Sequence, residues 1–124
     1  YAMKINSSGD SLSSSLYGGS EYEEAESIHK TTDGGFALFG HTASYGDLQH
    51  DMCEFKINSS GNLLWQKSFG RTAHDGGEMA MQSMVDGSSN FFVGRSVSFG
   101  NAENMFAVKT NSTGDTLWTK VIGG

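Results

Sequence analysis

A chain of 124 residues is long enough for one modest domain, and seventeen Gly, no Pro and only 18% charged residues describe a turn-rich β protein. Fourteen acidic against eight basic residues leave a net charge of −6, which argues against a nucleic-acid partner and against adhesion to anionic lipid. No apolar stretch approaches the roughly 18 residues of a membrane span, so no membrane insertion is expected.

The chain opens on Tyr1, Met3 and Ile5 alternating with polar residues, and at Lys4 begins the phrase Lys-Ile-Asn-Ser-Ser-Gly-Asp. That phrase returns as Lys-Ile-Asn-Ser-Ser-Gly-Asn at Lys56 and as Lys-Thr-Asn-Ser-Thr-Gly-Asp at Lys109, at offsets of 52 and 53 residues. A fixed period of this size marks a repeat array. In each copy an alternating segment, c, runs into the turn, where Gly9, Gly61 and Gly114 are expected to supply positive φ. Segment d follows from Asn62 to Gly70 and from Asp115 to Gly123, with Trp65 and Trp118 at one register as expected core wedges between units.

Between the first and second copies, segment a (Ala25 to Thr31) leads through the hairpin turn Asp33-Gly34-Gly35 into segment b (Phe36 to Gly40). Its counterparts are Glu78 to Met84, the turn Asp86-Gly87-Ser88-Ser89, and Asn90 to Gly94. The Met-rich stretch from Glu78 admits a helical reading, but the flanking glycines and its aligned partner make it a strand. Cys53 is the single cysteine, so neither an internal disulfide nor a Cys-pair zinc site is available. Its counterparts, Tyr1 and Phe106, mark its position as core, not that of a catalytic thiol.

The order a-b-c-d is a meander of adjacent antiparallel strands, and a four-stranded sheet repeated about every 40–50 residues describes a propeller blade. The expected fold is all-β, a β-propeller of about two and a half blades: a half blade over 1–19 and full blades over 20–70 and 71–124, within one domain. Closed propellers need about four to eight blades. More blades are therefore expected before and after this segment, or copies of the chain complete one another. The absence of a secretory signal, with Tyr1 not an initiator, fits a mature, trimmed or partial chain.

The pattern Asp-Gly-Gly-Phe, then Gly-His-Thr-Ala-Ser, then Asp-Met-Cys-Glu-Phe-Lys-Ile-Asn-Ser-Ser-Gly-Asn-Leu-Leu-Trp resembles the repeat of bacterial β-propeller proteins, abundant at the surface of Bacteroidetes and in some archaea. The resemblance covers essentially the entire chain; Ser13 departs from it where Trp is expected, and Arg71 interrupts the Gly-Gly pair. It implies a secreted or cell-surface module for adhesion, carbohydrate or protein binding, scaffolding or assembly.

Candidate binding residues lie in the b-to-c loops, where an aromatic, Gly and a carboxylate or amide recur: Tyr45 with Asp47, and Phe99 with Asn101. Such a pair can stack on a sugar ring and bond its hydroxyls, or the aromatic can cover the sheet edge while Asp or Asn closes a turn. Glu21, Glu23, Glu24 and Glu26 form an acidic connection that lacks calcium-loop spacing and is expected to be a solvated rim, with no metal or cofactor. His29, His41, His50 and His74 occupy unrelated places in the unit, and no nucleophile motif is present, so no catalytic residue is assigned. A propeller-fold glycosidase or lyase, using an acid pair such as Glu24 and Asp75, is the alternative. Expected partners are neighbouring blades or copies of the chain, with a glycan or surface protein as ligand.

Overall fold

The computed structural model describes residues 1–46, 50–70, 75–76, 82–97 and 103–123, and among them every regular element is a β-strand. β1 (Ala2–Ile5) and β2 (Ser11–Ser15) form a hairpin. β3 (Glu23–Lys30), β4 (Phe36–Thr42), β5 (Asp51–Ile57) and β6 (Leu63–Phe69) form a four-stranded antiparallel meander, the central sheet. The C-terminal sheet runs β11 (Thr116–Ile122), β10 (Asn104–Asn111), β9 (Ser89–Ser96), with β7 (Asp75–Gly76) and β8 (Gln82–Val85) both pairing the far edge of β9. The predicted strand at Glu78 to Met84 is met by β8 over its last three residues; the others lie outside the described residues.

The thrice-repeated phrase folds one way each time. Asn6, Asn58 and Asn111 turn their side-chain Oδ1 back to accept the N–H groups two and four residues on, all at 2.9 Å. Gly9, Gly61 and Gly114 then take φ of 88°, 84° and 79°, which a side chain would disfavour. Each turn is preceded by the same register shift, at Lys4/Ile5, Lys56/Ile57 and Lys109/Thr110, so that Leu12, Leu64 and Leu117 bulge outward and stay exposed. A further bulge at Ala25/Ser27 brings the Glu24 carbonyl against Gly40, where a Cβ would lie 1.8 Å from that oxygen; only glycine fits there.

Alternation along β4 and β5 gives the central sheet two apolar faces. Leu38, Cys53, Phe55 and Ile57 pack toward the hairpin, with Ala2, Tyr17 and Phe36 against them. Ala37, Phe39, Met52 and Phe69 pack against Phe92, Phe106 and Val108 of the C-terminal sheet. Every residue of β5 is therefore buried, whereas every residue of β11 is exposed. Cys53 is core, as its register implied.

The two tryptophans part company. Trp65 is half-buried beneath the Gly114 turn, where a Cβ on Gly114 would stand 2.6 Å from the indole Cζ3. Trp118 keeps the same register but faces outward, touching Phe91 edge-obliquely at 5.7 Å and remaining 38% exposed. A wedge needs a layer to wedge into, and among the described residues none lies over β11.

Candidate functional site

The seam between the central and C-terminal sheets holds buried polar groups, among them His41, Glu54, Lys56, Asn90 and Thr110. Alternation in β4 and β5 aims His41, Met52, Glu54 and Lys56 at this seam alongside Phe39. Glu54 is fully buried; it accepts hydrogen bonds from Asn90 Nδ2 and, at 3.1 Å, from Thr110 Oγ1. Burial pushes its carboxyl up to about 7, against the opposing pull of Thr110, Asn90 and the Lys56 charge.

At one end of the seam the Lys56 ammonium is enclosed. It donates to Thr31 Oγ1 at 3.0 Å, Asp33 Oδ1 at 3.0 Å and the Ile57 carbonyl at 3.2 Å, and lies 2.9 Å from Asp33 Oδ2. Those acceptors use the three protons of the ammonium, so burial leaves none unsatisfied. The Thr31 hydroxyl, the Gly35 N–H and Lys56 together hold the Asp33 carboxyl far below its usual range. A polar cleft of about 240 Å³ opens here, lined by Thr31, Asp33, Lys56, Gly87, Asn90 and Ser112.

At the other end a ring cluster forms. The Tyr22 ring stacks on buried His41 at 5.6 Å and 29°, and His50 meets both, 5.4 Å from His41 and 5.8 Å from Tyr22. Tyr22 donates its hydroxyl proton to Glu24 Oε2 at 2.5 Å. Glu24 and Glu26 each stand 3.9 Å from a His41 nitrogen, close enough to attract an imidazolium but too far for a hydrogen bond. His50 holds φ at 84° in the left-handed region, a strained setting for a non-glycine residue. Glu23 turns the other way: burial works to raise its pKa, but bonds from Ser44, Thr42 and the Gly19 N–H bring it below the ordinary value. The acidic stretch is therefore tied into the sheet edge at Glu23 and gathered around His41 at Glu24 and Glu26.

Tyr45 lies against Gly19, where a Cβ would come within 3.3 Å of the phenol Cζ, beside Ser44, which accepts the Glu21 N–H at 2.8 Å. Asp47, Phe99 and Asn101 lie outside the described residues, as does His74. His29 meets Phe39 edge-on at 6.2 Å, apart from the other imidazoles. His41 and His50, at unrelated places in the repeat unit, come together because β4 and β5 are an antiparallel pair whose loop ends must meet. That hairpin signal was present in the sequence. Glu54 was hidden by the alternation of its strand, which reads as polar-outward wherever one face is wet.

Burial drives the Cys53 thiol far above its usual pKa and keeps it protonated. Among the described residues no three His, Cys, Asp or Glu side chains converge as metal ligands. No protein-family model and no curated protein matches the chain.

Proposed function

We propose that the chain is a run of β-propeller-type blades forming a non-catalytic module of a secreted or surface protein, which binds a protein or glycan or serves as scaffold in a surface assembly. The observation that carries the reading is that at both seams the repeat turn of one layer meets the layer before it at equivalent positions. The Gly61 turn of the central sheet meets the hairpin, with the Tyr17 hydroxyl donating to the Gly61 carbonyl. The Gly114 turn of the C-terminal sheet meets the central sheet, with Lys67 Nζ 3.2 Å from Asp115 Oδ1. Layers that meet through the same element of each repeat are what blade packing requires.

Two measurements test the proposal. Trp65→Ala is expected to loosen the C-terminal layer and lower stability by about 2 kcal/mol, half the usual cost of a buried aromatic; stability unchanged in that variant would sink the layered reading. A glycan array and capture of surface proteins on the immobilised chain test the binding role. Silence in both, with assembly intact, would leave scaffold as the function. The rival, a propeller-fold enzyme on polysaccharide, has the Glu24–His41–Glu26 group in its favour. It requires turnover that Glu24→Gln abolishes.

A further inference from the structure

We infer that the outer face of the C-terminal sheet receives the β1–β2 hairpin of a second copy of this chain, head to tail. The inference rests on the layered reading above and deepens it by naming the partner and its contacts.

The internal seam is the template. There the turn residue Asp115 meets Lys67 at 3.2 Å, Gly114 covers Trp65, and Met52 and Phe69 pack against Phe106 and Val108. Both halves of this contact recur uncovered on the chain, at the repeat-equivalent positions. The receiving half lies on the C-terminal sheet: Trp118 and Lys120 stand where Trp65 and Lys67 do, and Met105 and Ile122 stand where Met52 and Phe69 do. Met105 is 50% exposed and Ile122 54%. The inserting half lies on the hairpin: Gly9 and Asp10 repeat Gly114 and Asp115, and Tyr1 and Met3, 78% and 50% exposed, repeat Phe106 and Val108.

The match extends to the polar detail. Asn6 Nδ2 donates to Asp10 Oδ2 at 2.9 Å, as Asn111 Nδ2 does to Asp115 Oδ2 at 3.3 Å, so the Asp10 carboxylate is poised as its seam counterpart is. One face is thus apolar with a lysine at its edge, and the other is apolar with an aspartate at its edge. An unrelated protein would need to reinvent the complementary half, whereas a second copy already carries it. Because the two halves are different surfaces, the contact is heterologous, and it propagates as a ring or a filament.

The test is light scattering across a concentration series of the whole chain, with two charge reversals. The wild-type mass is expected to rise above 13.3 kDa with concentration. Lys120→Asp and Asp10→Lys alone are each expected to weaken association by about tenfold or more, because like charges then face each other. An equimolar mixture of the two variants is expected to associate again, since each reversed charge meets its opposite on the other chain. A wild-type monomer at every concentration overturns the proposal; so does association indifferent to the reversals, or single variants that weaken without rescue in the mixture. The layered reading fails separately, through an unaffected Trp65→Ala.

Discussion

β6 and β11 are written almost alike, Leu63-Leu64-Trp65-Gln66-Lys67 and Thr116-Leu117-Trp118-Thr119-Lys120, yet they live in different surroundings. β6 has Trp65 half-buried, Phe69 buried and Lys67 bridged to Asp115. β11 has all seven residues exposed. Identical local instructions give the same strand, the same bulge and the same turn, but burial depends on whether another layer lies across the face. The energetic weight of a position in this chain follows from its seam, and its repeat register alone does not assign it.

The largest effect is expected where the two sheets of the internal seam meet. Phe39→Ala removes a fully buried ring that packs on Phe92 at 5.0 Å and should cost about 3–5 kcal/mol in chemical denaturation. Val93→Ala, at the equivalent position on the outer face of the C-terminal sheet, should cost about 1 kcal/mol or less at dilutions where the chain is monomeric. Equal losses would show that the open face is covered in solution.

Glu54 sharpens the comparison through pH. Its equivalents are Ala2 and Ala107, so only the internal seam buries a carboxyl at this register. Its folded pKa of about 7 lies above the ordinary value of 4.5, so between those values the folded chain holds more protons than the unfolded chain. Stability therefore falls as pH rises through that window and levels off above it. Glu54→Gln keeps an acceptor for Asn90 and a donor for Thr110, and should abolish that slope. Above about pH 7 the variant is expected to be more stable than the wild type by at most about 3 kcal/mol. Urea titrations at pH 5 and pH 8 that give the same difference between the two proteins would refute this assignment.

The smallest effect isolates the turn. Gly9 and Gly114 share a positive φ, but a Cβ on Gly9 meets open space while one on Gly114 meets Trp65 at 2.6 Å. Gly9→Ala should cost about 1 kcal/mol from backbone strain alone, and Gly114→Ala about 2 kcal/mol because overpacking adds to it. Equal midpoint shifts would mean the Gly114 turn does not press on the seam.

Much of this was legible in the chain itself. The turns were readable because an Asn–Gly pair with side-chain acceptors folds locally, whatever surrounds it, and the structure repeats each one to the hydrogen bond. The strands of the central sheet were readable from alternation and from Asp33-Gly34-Gly35. Trp118 departs from the expected core wedge because a repeat registers sequence and not neighbours. Glu54, Lys56 and the His41–His50–Tyr22 cluster were not legible there because each depends on partners from other strands or loops, such as Asn90, Asp33 and Glu24.

By itself, then, the sequence determined what short-range physics can dictate: the glycines that permit positive φ, the asparagines that close the turns, the alternation that makes strands, and the period that sets one sheet after another. Tertiary structure decided which of those equivalent strands are covered, which carboxyl is forced toward neutrality and which lysine finds its aspartate. Those properties come from desolvation and from contacts between layers, and both arise only when faces distant in the chain are brought together.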